Sequence, residues 1–208
     1  MVKLVTAANK QRFAPLLDSM FRDRKTTFVD KLKWQVPVVD GIYEKDEFDT
    51  DTAAYLIAAN REGTKHVSSM RLCPTSGPHL LSDVFPQLCD GEIPRGDDIW
   101  EVSRICTAPD LKEDPRTARR HMSIALIEFA LLYGATRLTL VSHMEYLARL
   151  LALGWECRPL GYGKEVWGQA MGAMEISVTP TTLTMVRNMF GNGSRIPVLE
   201  VEGVSVAA

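Results

Sequence analysis

Cysteine is scarce and unpatterned in this chain: Cys73, Cys89, Cys106 and Cys157 include no C-x-x-C pair. Such spacing supports neither a zinc knuckle nor a disulfide framework, and fits free thiols in a reducing compartment. The four histidines, His66, His79, His121 and His143, also lack metal-ligand spacing and are expected mostly at the surface, with no metal bound. A basic surplus is missing. Twenty-four Lys and Arg face 26 Asp and Glu for a net charge of -2, which argues against nucleic acid as an obligatory partner. No apolar run reaches membrane-spanning length and the N-terminus carries no apolar leader core, so a soluble, cytoplasmic protein without a membrane partner is expected. Glycine is absent between Gly96 and Gly134.

What is present is ordinary for a globular protein. Hydrophobic residues make up 46% and charged residues 24% of 208 positions, enough to bury a substantial core. One domain over residues 1–190 is expected, with 191–208 as a loosely ordered tail. Strand patterns at 2–6, 53–60, 65–72, 99–106, 136–142, 155–159 and 166–178 alternate with helical patterns at 9–22, 80–88, 116–133, 143–153 and 181–190. The pair of strands around Glu62-Gly63 reads as a hairpin, so the sheet is mixed, with helices on both faces. Residues 24–37 have neither period; Phe28 and Trp34 stand there among Arg, Lys, Thr and Asp, as in a segment that closes over a ligand.

The organising stretch is Ile99-Trp100-Glu101-Val102-Ser103-Arg104-Ile105-Cys106. It reads as a buried strand that carries a carboxylate and a guanidinium, and buried charges need partners. Complementary charge is offered by Asp46 and Asp49 in the acidic run 43–49 and by Arg71 in Ser69-Met70-Arg71-Leu72. Strand alternation sends Glu101 and Arg104 to opposite faces. If both serve one cleft, a β-bulge near Val102–Ser103 must re-aim one of them. A purely structural ion-pair network explains the same residues, and core packing explains Phe28 and Trp34. Ser103 has no histidine partner in the sequence, which speaks against a hydrolase triad.

Arg24, Phe28, Trp34, Asp46, Asp49, Arg71 followed by Pro74-Thr75, and Glu101-x-Ser103-Arg104 together resemble the acyl-homoserine-lactone synthases of bacterial quorum sensing. The resemblance runs from about residue 20 to 160. It implies a three-layer αβα sandwich with a mixed, mostly antiparallel sheet, similar to the GNAT N-acyltransferases. It also implies an acyltransferase with two substrates and no cofactor. An acyl group would pass from a carrier-protein thioester to the amine of S-adenosylmethionine, and lactonisation would then release methylthioadenosine.

On this resemblance Glu101, Ser103 and Arg104 form the catalytic set, with Glu101 as the base that frees the amine. Arg24, Phe28, Trp34, Asp46, Asp49, Arg71 and Arg104 would bind S-adenosylmethionine. In that set Asp46 and Asp49 form an acidic lip, Arg104 or Arg24 takes the carboxylate, the aromatic faces take the adenine and sulfonium, and Arg71 locks the acids. Ser103, Ile105, Met122, Leu126, Thr139, Val141 and Leu147 would line the acyl pocket, and a Thr at position 139 is associated in the family with 3-oxo chains. The turn 108–117 contains no glycine, which weakens a GNAT-style grip on CoA diphosphate. An acidic carrier protein docking on Lys112, Arg116, Arg119, Arg120 and Arg149 is favoured over acyl-CoA. Three other readings remain: a lactone synthase that takes acyl-CoA, as the resemblance also allows, a GNAT-like N-acyltransferase acting on another amine with acyl-CoA, and a non-catalytic sensor of S-adenosylmethionine or the carrier protein.

Overall fold

The structure is a computed structural model that describes residues 1–112, 114–152, 154–190 and 198–201. In chain order the elements are β1 (Val2–Val5), α1 (Ala14–Arg24), a π-helical segment (Lys25–Lys31), β2 (Val38–Val39), β3 (Tyr43–Glu44), β4 (Ala54–Ala59) and β5 (His66–Pro74). They continue with α2 (Leu80–Asp83), a 3-10 turn (Pro86–Leu88), β6 (Ile99–Thr107), α3 (Pro115–Leu132), β7 (Arg137–His143) and α4 (Met144–Ala152). The last are β8 (Cys157–Pro159), β9 (Lys164–Val166), β10 (Gln169–Ser177), α5 (Pro180–Met189) and β11 (Leu199–Glu200).

These elements form two compact units. The first holds Met1–Arg71, Arg104–Glu128 and, of the C-terminal segment, residues 198–201; the second holds Leu72–Ser103 and residues 129–190. Strands β5 and β6 contribute residues to both.

In the first unit β1 lies between β4, antiparallel, and β11, parallel. The expected hairpin closes through Asn60, whose side-chain oxygen accepts from the Thr64 and Lys65 N–H groups while Gly63 adopts φ +73°. Pro15 sits in the first turn of α1, where its missing N–H costs nothing, and Leu16, Met20 and Phe21 form its buried face. Two expectations change here. Residues 25–31 are helical, because the chain leaves α1 with wider i→i+5 bonds such as Leu32 N–H to Thr27 C=O, a pattern that no 3.6-residue period reveals. The tail is not loose throughout either: Leu199–Glu200 pairs with β1, and Glu128 accepts from the Val198 and Leu199 N–H groups. The rest of the expected tail lies outside the described residues, apart from 201.

In the second unit β7 runs parallel to β6 and antiparallel to β10, and β10 also pairs with β8 and β9. Trp167 (φ +51°) and Gly168 (φ +73°) make the two-residue turn from β9 to β10, the twist-compatible geometry for a hairpin. Helices cover both faces of this sheet. On one face Leu81, Phe85 and Leu88 bury Ala173 and pack against Val141. On the other, α4 presses so closely that a Cβ on Gly172 would meet Met144 Sδ at 2.7 Å and Leu147 Cδ1 at 2.9 Å. Trp100, Phe129 and Tyr133 form an aromatic cluster with ring centroids 4.4–5.4 Å apart. The α/β class and the mixed, largely antiparallel sheet are as expected.

Candidate functional site

In the first unit six charged side chains close into a ring of alternating sign. Arg24 donates from Nε to Glu44 Oε2 at 2.6 Å and grips Asp49 with both arms at 2.8 and 2.9 Å. Glu44 accepts with its other oxygen from Arg104 Nε at 3.0 Å, and Arg104 Nη2 reaches Asp46 Oδ2 at 2.6 Å. Arg71 holds Asp46 bidentately, Nη1 on Oδ1 and Nη2 on Oδ2, and its Nη1 lies 3.1 Å from Asp49 Oδ2, which closes the ring. Local backbone completes it: the Asp46 N–H donates to Asp49, and the Phe48 N–H donates to Asp46. Tyr55 adds its hydroxyl to Asp49 Oδ1 at 2.9 Å.

Three positive and three negative groups cancel, which is how this much charge is tolerated where side-chain exposure is 0–7%. Burial pushes the Asp49 carboxyl up, but Arg24 and Arg71 outweigh it and hold the group well below the usual carboxylate range. Burial likewise opposes the charge on Arg24, and Asp49 and Glu44 more than restore it. Burial and the Asp49 charge raise the Tyr55 hydroxyl, which stays protonated as a donor.

This geometry corrects two assignments. Asp46 and Asp49 do not form an acidic lip; they are buried and neutralised by arginines. Arg24 is committed to Glu44 and Asp49 at 1% exposure, so it is not positioned to take a substrate carboxylate. Arg104 is the ring member nearest solvent, at 7% side-chain exposure, and its Nη1 has no partner among the described residues. Its backbone sits at φ +50° within β6, a left-handed conformation that costs about 1–2 kcal/mol for a residue with a Cβ. The departure from regular strand geometry therefore falls at Arg104, just past the expected Val102–Ser103. Phe28 and Trp34 stack on each other, centroids 4.7 Å apart and planes within 6°, with the Arg104 guanidinium 5.8 Å from the Phe28 ring. Phe28 is buried and Trp34 half-buried.

In the second unit Glu101 is 1% exposed and clamped by backbone: the Leu80 N–H donates to Oε1 and the Leu81 N–H to Oε2, each at 2.7 Å. Thr139 faces Glu101 in the parallel β6–β7 register, and its buried hydroxyl has no partner among the described residues. Ser103 is buried.

The expected acyl-pocket residues do not all gather. Thr139 and Val141 share one sheet face, whereas Leu147 sits over Gly172, which pairs with Ser142 on the opposite face. Leu147 instead lines a small apolar cavity of about 70 Å³ with Met144, Leu151, Pro159 and Met174. In the first unit Met122 and Leu126 are buried, while Ile105 is 40% exposed. The cations Lys112, Arg116, Arg119, Arg120 and Arg149 are all exposed. Arg149 lies 3.8 Å from Glu145 one helical turn away, and Lys112 borders a cavity of about 550 Å³ with Arg61, Lys65 and His121.

Two histidines expected at the surface are buried. His66 bonds Asp23 at 2.8 Å and Ser69 at 2.9 Å, and His79 Nδ1 lies 2.9 Å from the Gly77 carbonyl oxygen. Among the described residues no cluster of His, Cys, Asp and Glu has the grouping of a metal site. Glu44 and Tyr55 were not singled out by the sequence reading; the presence of Glu44 in the same acidic run was the available signal.

Comparison with known proteins identifies the family. The autoinducer synthase family profile matches residues 9–181. An acyl-homoserine-lactone synthase of Acinetobacter nosocomialis is 32% identical over 184 residues, 84% of this chain and 99% of that protein. The CoA-dependent acyl-homoserine lactone synthase BjaI, solved with SAM and isopentyl-CoA, superposes with a TM-score of 0.88 at 26% identity, covering 99% of this chain and 94% of that one. MesI, another CoA-dependent acyl-homoserine lactone synthase, gives 0.84 at 31% identity over 96% and 98% of the two chains. A Lactobacillus plantarum protein described as an N-acetyltransferase shares the fold alone, with a TM-score of 0.56 at 16% identity over 86% and 99% of the chains.

Proposed function

The chain belongs to the autoinducer synthase family, and from that premise we propose that it makes an acyl-homoserine lactone, a quorum-sensing signal, from S-adenosylmethionine and an acyl thioester. Two observations carry the reading: in the first unit, a neutral, buried charge ring in which Arg104 Nη1 has no partner among the described residues, and in the second, the Glu101 carboxyl group accepting from two backbone N–H groups.

In this reading the ring Arg24–Glu44–Arg104–Asp46–Arg71–Asp49 is a scaffold, and Arg104 is the member that meets the methionyl carboxylate. Phe28 and Trp34 take the adenine and sulfonium by stacking and cation–π attraction. The amine of S-adenosylmethionine must lose a proton before it attacks the thioester carbon, and Glu101 accepts that proton directly or through water. Acyl transfer forms the amide and expels the thiol. The methionyl carboxylate then displaces the sulfur at its own γ-carbon, closing the lactone and releasing methylthioadenosine. This second step gains chiefly from holding nucleophile and leaving group in one molecule. The buried Thr139 hydroxyl, without a partner among the described residues, is suited to donate to a 3-oxo carbonyl.

For the acyl donor we favour a carrier protein. A GNAT-style grip uses free N–H groups at the start of the helix after the central strand. Here Pro115 has no N–H, Arg116 N–H donates to Asp114 Oδ1 and Thr117 N–H to Asp114 C=O. The exposed cations Lys112, Arg116, Arg119, Arg120 and Arg149 suit an acidic protein. The second reading, acyl-CoA, is favoured by BjaI and MesI, both CoA-dependent. Among the described residues no helix is long and apolar enough to cross a membrane. We place the reaction in the cytoplasm, where acyl thioesters are made.

Purified protein given S-adenosylmethionine with panels of acyl-carrier and acyl-CoA thioesters tests the reading through release of methylthioadenosine. Release with a carrier donor at lower KM supports it; release only with CoA donors selects the second reading. Binding of S-adenosylmethionine with no turnover on any donor would leave a sensor.

A further inference from the structure

The Glu101 clamp raises the question of what holds the clamp. Helix α2 has four residues, too few to keep its own first N–H groups aligned. The residue before it, His79, is extended (φ -154°, ψ 159°), fully buried, and makes no side-chain cap to the helix. Its ring turns back along the chain instead, with Nδ1 2.9 Å from the Gly77 carbonyl oxygen. A carbonyl only accepts, so Nδ1 carries the proton and Nε2 carries a lone pair. Nε2 is buried with no partner among the described residues. The His79 carbonyl in turn accepts from the Asp83 N–H at 3.1 Å and from Ser82 Oγ at 3.2 Å. Residue 79 thus holds the incoming loop with its ring and the first turn of α2 with its carbonyl, immediately before the two N–H groups that hold Glu101.

We propose that His79 is a positioning residue for Glu101: its Nδ1–H on the Gly77 carbonyl fixes the turn that aims the Leu80 and Leu81 N–H groups at the carboxylate. The proposal deepens the assignment of Glu101 as the base and rests on it for its kinetic consequence. Burial keeps the imidazole neutral, with Gly77 and Asp83 favouring the cation and Arg95 opposing it. Nε2 takes no part in the clamp. A side chain that offers an N–H at the Nδ1 position therefore suffices, and asparagine does so where glutamine and leucine do not.

The experiment compares His79→Asn, His79→Gln and His79→Leu. It measures kcat, KM for S-adenosylmethionine, the pH profile of kcat, and the Glu101 carboxyl titration by carbon NMR. A carboxylate that loses aligned N–H donors binds its proton more tightly. His79→Leu and His79→Gln are expected to lower kcat by about 10-fold, leave KM within about 3-fold, and move the acid limb and the Glu101 titration up by about one pH unit. His79→Asn should stay within about 3-fold with both titrations unmoved. An unmoved Glu101 titration in His79→Gln overturns the proposal, as does damage in His79→Asn equal to that in His79→Leu. If His79→Leu fails to fold, Asn against Gln still decides. Full activity of Glu101→Gln would instead remove the base assignment, while the NMR titration would continue to decide the positioning role.

Discussion

Replacing Asp49 with Asn changes one atom type in the charge ring and should be among the most damaging conservative substitutions in the first unit. Asp49 receives both arms of Arg24, the Tyr55 hydroxyl and the Asp46 N–H, with Arg71 at 3.1 Å. Asparagine keeps the shape but turns a neutral ring into one carrying a net positive charge, and its NH2 group must face a guanidinium donor. Breaking a buried pair from one side costs about 3–5 kcal/mol. For a chain of this size that corresponds to a drop in Tm of about 6–20 °C. The assay is urea and thermal unfolding followed by circular dichroism, read as a shift in midpoint at constant m. Asp51→Asn is the internal control. Its pair with Lys10 is 49% and 75% exposed, and its loss should cost under about 1 kcal/mol. If Asp49→Asn costs no more than Asp51→Asn, the ring is solvated and the scaffold argument fails.

The same ring sets an acid limit. Because the Asp49 carboxyl is held below its ordinary value, its contribution is complete above about pH 4 and is lost as pH falls through the lowered value, so stability should fall steeply only in that acidic window. A melting-temperature series from pH 7 to 2 checks this; a midpoint that already declines between pH 7 and 5 would point elsewhere. Glu101→Gln should cut acyl transfer by about 100-fold or more while binding of S-adenosylmethionine, followed by calorimetry, changes less than about 3-fold. Trp34→Ala should weaken that binding by about 5- to 30-fold, since it removes half of the aromatic stack, and unchanged affinity would take Trp34 out of the site. Charge reversal at Arg116, Arg119 and Arg120 should raise KM about 10-fold for a carrier-protein donor and leave a small thioester unaffected; equal loss with both donors would end the docking idea.

Which parts of this were legible in the sequence follows from the range of the forces involved. Hydrophobic period and turn chemistry are local, and they placed β4, β5, β6, α3, β7 and α4 within a residue or two. The πhelical segment escaped because its i→i+5 bonds match no period that a helix search uses, and residues 24–37 read as a closing segment. The need of Arg71, Asp46 and Asp49 for one another was readable from charge alone. Which atoms pair was not: Arg24 looked as available as Arg104 until Glu44 and Asp49 were seen to occupy it. Leu147 followed the apolar pattern of a pocket, yet sheet register puts it on the face opposite Thr139 and Val141. His79 was indistinguishable from a surface histidine, because its significance lies in a bond to the Gly77 carbonyl.

The most direct test of the central claim is mass spectrometry on purified protein incubated with S-adenosylmethionine and a panel of acyl-carrier and acyl-CoA thioesters. The account predicts an ion that yields the homoserine-lactone fragment, with methylthioadenosine released in equal amount. Thioester consumption that acylates some other amine, with neither lactone nor methylthioadenosine formed, would contradict it.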